Sequence, residues 1–269
     1  MTDRTYPETL VGTQLLAADL DPARSMADGI HRFLDRVTMA AQTARPARWA
    51  RDVSSHGAYA ASVRPNRAHL ATIIGAADPR VPVVMSTPVA PGRLSSERVS
   101  PGGTGGCTSR AVAWTVLAGV TAEGLLLEPG GHVRANVIAV PDCDTPPEAL
   151  AGLIPGMPES AQFARLLAEK GCRVLIPTLI NRDCTHCGLP GFKMTNMPHR
   201  EFIYRAAFEL GHHIIGYEVQ KVLAAVDWFT DAAGRDDAEH PPLGVIGYGE
   251  GGLLSLYAAA LDERISAAS

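Results

Sequence analysis

Val245-Ile246-Gly247-Tyr248-Gly249-Glu250-Gly251-Gly252 decides how this chain is read. The run Leu243-Gly244-Val245-Ile246 is a short apolar stretch of the kind that makes a buried strand, and Gly251 to Leu261 is long and apolar enough for a helix. Glycines two places either side of a central residue let a strand turn sharply into a helix, because bulky neighbours would clash where the two meet. The central residue is then held out on a strained corner, where a nucleophilic side chain would stand. Here that residue is Gly249.

Upstream of this corner, strands and helices alternate. Val137-Ile138-Ala139-Val140 and Arg173-Val174-Leu175-Ile176-Pro177 read as buried strands, separated by a helix over Ser160 to Lys170 with Phe163, Leu166 and Leu167 on one face. A polar loop, Asn181 to Met197, leads to a helix from about Pro198 to Thr230, with Asn196 as its cap and Pro198 in its first turn. Its apolar stripe of Ile203, Ala207, Leu210, Ile214, Val219, Val222, Val226 and Phe229 belongs against a sheet. Strand, helix, strand, helix is the pattern of a mainly parallel sheet covered on both faces. Ahead of it, Ala111 to Val116, Thr121 to Glu128 and Arg134 to Val140 predict a small antiparallel start.

The first part of the chain reads differently. Met26, Ile30, Phe33, Leu34 and Val37 recur at helical spacing, and Ser95 to Ser109 is a turn-rich linker whose glycines read as a plain loop. The organisation expected is a helical N-terminal region with a Gly/Pro-rich linker over residues 1–109 and an α/β domain over 110–269.

With the strand order and the helix Leu253 to Ile265 in place, the corner resembles the nucleophile elbow of the α/β-hydrolases, closest to their dienelactone-hydrolase and acetyl-xylan-esterase-like branch. The resemblance covers roughly residues 110 to 269. It implies an α/β-hydrolase-like, mainly parallel sheet flanked by helices, C-terminally incomplete, and a hydrolase-like function of the carboxylic-ester type. Carried over by position, Gly249 is the substituted nucleophile site, and the backbone N–H of Glu250 is an oxyanion-hole donor. Cys143, in the loop Asp142-Cys143-Asp144 after an earlier strand, supplies the second donor. The acid and histidine of the family follow the nucleophile, and the chain reaches Ser269 where the next strand would begin. A Ser-His-Asp triad is therefore expected to be incomplete.

The same residues spell Gly247-x-Gly249-x-x-Gly252, the dinucleotide fingerprint of an NAD(P)-binding oxidoreductase. That reading needs an acidic residue about 20 positions on to hold ribose, and Glu250 places a carboxylate near incoming phosphate. The hydrolase reading is adopted, with no cofactor. A non-catalytic homologue that binds a small acyl or sugar ligand, or a partner, is the other alternative.

Asp142 and Asp144 end a strand, where a parallel sheet exposes its functional edge, although turn formation before Thr145-Pro146-Pro147 explains them too. Tyr248, Arg182 and His199 are the candidate substrate-binding residues. Cys184 and Cys187, with two residues between them, could reach one zinc ion, but a second pair is missing, and a loop with free thiols and no metal is expected. His212 and His213 read as mid-helix packing or surface residues.

Composition excludes other classes. Of 269 residues, 46% are hydrophobic, and 24 basic against 28 acidic residues leave a net charge of -4. Nothing in that balance attracts nucleic acid or an anionic membrane. The expected partner is a small-molecule ester or acyl ligand. Without an apolar leader or a membrane-length apolar run, the location read is cytoplasmic. An end at Ser269 would leave Leu243 to Ile246 as a bare edge, so self-association or a second polypeptide completing the fold is also expected.

Overall fold

The computed structural model describes residues 11–14, 21–88, 106–185, 197–232 and 241–269, together with the backbone of 97–98. The chain divides into two compact units, Met1–Asn66 and Arg67–Ser269.

In the first unit, helix α1 (Pro22–Ala44) opens on Asp21, whose carboxylate accepts the N–H groups of Ala23 and Arg24 at 2.9 and 3.2 Å. That satisfies donors which the first helical turn leaves without intrahelical partners. Met26, Ile30, Phe33, Leu34 and Val37 lie along it at the spacing read from the sequence. Helix α2 (His56–Ile73) follows and ends in the second unit.

The second unit is built on a mixed sheet. Its strands are β1 (Met85–Ser86), β2 (Glu97–Arg98), β3 (Cys107–Leu117), β4 (Val120–Pro129), β5 (Ala135–Val140), β6 (Cys172–Pro177), β7 (Leu243–Gly247) and β8 (Ala267–Ala268). The order is β1-β3-β4-β6-β5-β7-β8, with β2 also on β3. Antiparallel pairing from β1 to β6 gives way to parallel pairing among β6, β5, β7 and β8. Helices α3 (Pro147–Leu150), α4 (Phe163–Glu169), α5 (His199–Phe208), α6 (Ile214–Ala232) and α7 (Glu250–Leu261) flank it.

Successive side chains of a strand point to opposite faces, and here both faces are buried. Leu126, Ile138 and Leu175 join Val222, Val226 and Leu254 on the α6 and α7 side, while Leu125, Val137, Val174 and Ile176 join Leu150, Ala164 and Ala168 on the α3 and α4 side. This is why the central strands read as continuous apolar runs instead of alternating ones.

Four expectations are corrected. The single helix over Pro198 to Thr230 is two, broken at Gly211, whose φ of +75° ends α5 before α6 begins. His212 and His213 therefore sit in the connection and not mid-helix. His212 pairs with Asp78 at 3.3 Å, and His213 Nδ1 accepts the N–H of Ile215 at 3.0 Å. Part of the linker is strand, since Glu97 and Arg98 pair with Ser109 and Thr108. Finally, β7 has an outer neighbour: Gly244 and Val245 pair with Ala267 and Ala268, and Gly247 N–H donates to the Ser269 carbonyl at 3.0 Å. Ala267–Ala268 is too short for periodicity to reveal. The proposed cap Asn196 lies outside the described residues, as does Cys187.

Candidate functional site

The order of the parallel strands reverses at β5, which has β6 on one side and β7 on the other. Such a switch opens a crevice at the carboxyl ends of the strands, where parallel α/β folds bind ligands. The parallel register pairs Val140 with Gly247. Two residues further along each strand, Asp142 and Gly249 consequently face each other.

Gly249 turns β7 into α7 with φ +61° and ψ -127°, a conformation that a residue with a side chain enters only under strain. Its flanking glycines are required for a different reason. A Cβ at Gly247 would overlap the Gly251 carbonyl, and one at Gly251 would overlap the carbonyls of Val140 and Pro141. The spacing of the motif thus follows from how closely α7 sits on the two strands.

Around the turn, charged groups interlock. Glu250 N–H donates to Asp142 Oδ2 at 3.0 Å. Asp142 Oδ1 lies 3.6 Å from the Cys143 thiol, which donates to it, and 3.6 Å from Arg182 Nη1. Arg182 donates its backbone N–H and a guanidinium N–H to Asp144, at 2.9 and 2.6 Å, and a second guanidinium N–H to Glu250 Oε2 at 2.9 Å. The other Glu250 oxygen pairs with Arg200. Arg200 is buried, and it also donates to the Ile180 carbonyl at 2.8 Å and pairs with Glu218 at 3.4 Å. Glu218, fully buried, accepts the N–H of Ile180 at 2.9 Å and pairs with Lys221 at 2.8 Å.

Two acidic groups of this site, Asp144 and Cys143, depart from their ordinary behaviour. Hydrogen bonding from the Arg182 backbone, the largest effect, holds the Asp144 carboxyl below the usual carboxylate range; burial, second in weight, pushes it up, and the Arg182 side chain and charge add smaller downward effects. Burial pushes the Cys143 thiol up to about 11, with Arg200 opposing. At neutral pH, Cys143 is a protonated, buried thiol.

Of the candidates named from sequence, Asp142, Cys143, Asp144, Arg182, Gly249 and Glu250 come together. Tyr248 is exposed beside them, and His199 is held at 2.8 Å from Asn181 Oδ1. Arg200, in the first turn of α5, shows in the sequence only what ordinary helix-start capping or surface pairing explains, and Glu218 and Lys221 were passed over. A Glu and a Lys three apart on the apolar stripe of α6 were the available signal. Asp142, Cys143 and Asp144 also offer three potential metal-ligand atoms within 4.8 Å of one another. Their carboxylates are engaged by Arg182 and the Glu250 N–H, so the trio is committed to protein partners. A cavity of about 330 Å3 lined by Gly130, His132, Arg134, Glu169 and Lys170 lies at the opposite, amino-terminal end of β5 and β6.

No protein-family model matches the chain, and no curated protein is detectably similar to it. Solved structures do match. A candidate acetyl xylan esterase from Bacteroides fragilis superposes with a TM-score of 0.50 at 16% identity, over 77% of this chain and 53% of that one. A methylesterase gives 0.49 at 16% identity over 80% and 41%. A glucuronoyl esterase from Solibacter usitatus gives 0.43 at 16% identity over 80% and 59%. The first carries the likeness, and at that identity it shows the fold. This chain has the α/β-hydrolase fold and spans about half the length of that relative. No helix among the described residues is long and apolar enough to cross a membrane.

Proposed function

We propose that this chain is a carboxylic-ester-hydrolase-like protein that binds a small acyl or sugar ligand at the carboxyl ends of β5 and β7 without serine-type acyl transfer. The observation that carries this reading is the turn itself. Its glycines and backbone geometry suit a nucleophile, yet residue 249 has no side chain. Acyl transfer requires a nucleophile with a base in hydrogen-bond reach. The ionised groups nearest the turn, Asp142 and Glu250, are carboxylates already engaged, Asp142 by the Glu250 N–H and Glu250 by Arg182 and Arg200.

Four carboxylates and three cations surround the turn, which favours a neutral ligand over an anionic one. Two carboxylates at the start of α7 likewise disfavour a dinucleotide pyrophosphate there. A neutral acetylated sugar fits both the charge and the acetyl xylan esterase likeness.

The test compares turnover with binding. The purified chain is expected to hydrolyse 4-nitrophenyl acetate no faster than buffer with a matched protein control, and to bind acetylated xylo-oligosaccharides with amide shifts at Arg182 and Tyr248. Saturable hydrolysis that Arg182→Ala abolishes would overturn the reading.

A further inference from the structure

We infer that Asp142 closes the turn: its carboxylate fills the place of a side chain at residue 249 and takes the N–H that an acyl oxygen would need. The inference rests on the functional reading above and explains how the Glu250 N–H is kept from an acyl oxygen. Three observations meet at one atom. A Cβ at Gly249 would overlap Asp142 Oδ2. The same oxygen accepts the Glu250 N–H at 3.0 Å, the donor that by position faces a reacting carbonyl. The Val140 to Gly247 register sets the two loops against each other, so the sheet brings Asp142 within reach of the turn.

Asp142 is also held from behind. Its Oδ1 is 3.6 Å from the Cys143 thiol and 3.6 Å from Arg182, with the N–H of Asp144 at 3.5 Å, and its own carbonyl accepts the N–H of Thr145 at 2.9 Å. A carbonyl oxygen arriving at Glu250 would have to displace this carboxylate. Serine at 249 would first have to push this carboxylate aside, because its Cβ meets the same oxygen. Gly249 and Asp142 form a matched pair, in which the missing side chain after β7 leaves room for the carboxylate after β5.

A plain helix cap would also place Asp142 here, and the variants separate the two roles. Asparagine at 142 keeps the size and an acceptor oxygen; alanine removes both. Sodium acetate, with sodium chloride as the ionic-strength control, is titrated into the full chain while the Glu250 amide is followed by NMR. A saturable shift is expected in Asp142→Ala and none in the wild type or Asp142→Asn. A saturable shift in the wild type, or none in a folded Asp142→Ala, overturns the inference. Should Asp142→Ala fail to fold, hydrogen exchange in the wild type decides. First-turn helix amides have no intrahelical acceptor, so slow exchange at Glu250 supports closure by Asp142 and exchange at the unprotected rate refutes it. Neither readout depends on ester turnover, so each reading can fail alone.

Discussion

Arg182 binds Asp144 twice, through its backbone N–H at 2.9 Å and its guanidinium at 2.6 Å, and so ties the loop after β6 to the loop after β5. The folded Asp144 carboxyl is thereby held below its usual range. A depressed folded value contributes stability that is present above the unfolded value and lost as pH falls through the folded one. Asp144 is half exposed, so Asp144→Asn should cost about 0.2–1 kcal/mol at pH 7. Urea unfolding should show that difference shrinking below about pH 4, the ordinary carboxylate range.

Cys143 shows the opposite linkage. Its thiol moves from 9.0 to about 11 on folding, chiefly by burial. The folded protein therefore keeps a proton that the unfolded chain releases, and stability should fall as pH rises from 9 toward 11. Cys143→Ala should flatten that slope. At pH 8, a thiol reagent should modify Cys143 in urea and leave it intact in the folded protein, as peptide mapping would show.

Glu218 is fully buried between two cations. Glu218→Ala would leave Arg200 and Lys221 facing each other without their carboxylate. Breaking a buried pair in this way costs about 3–5 kcal/mol, measurable as a lowered urea midpoint. An effect below about 1 kcal/mol, the surface-pair range, would mean that solvent reaches this network.

Gly251→Ala tests the packing of α7. The added methyl meets the carbonyls of Val140 and Pro141, which belong to the backbone and cannot rotate away. Overpacking typically costs about 1–3 kcal/mol. The same change at Gly244, where the nearest atom is 3.6 Å away, should cost less, and thermal unfolding of the two variants compares them.

Much of this architecture is legible in the sequence, for identifiable reasons. Val137 to Val140, Val174 to Ile176 and Leu243 to Ile246 are apolar on both faces, which marks covered parallel strands, and the glycine spacing around Gly249 marks the turn. The break at Gly211 is harder to read, because Leu210 and Ile214 continue the helical stripe across it. Arg200 looks like a surface residue until α6 brings Glu218 beside it. The pairing of Asp142 with Gly249 depends on register between strands more than 100 residues apart, which no local pattern encodes.

The central claim, that the turn after β7 performs no serine-type acyl transfer, is tested most directly by trapping. The chain is mixed with excess 4-nitrophenyl acetate, 4-nitrophenol release is followed from the first milliseconds, and the quenched protein is mapped by mass spectrometry. The account predicts no burst and no acetyl adduct within residues 241–269. A burst of one equivalent per chain, with an acetyl group on a residue of that segment, would contradict it.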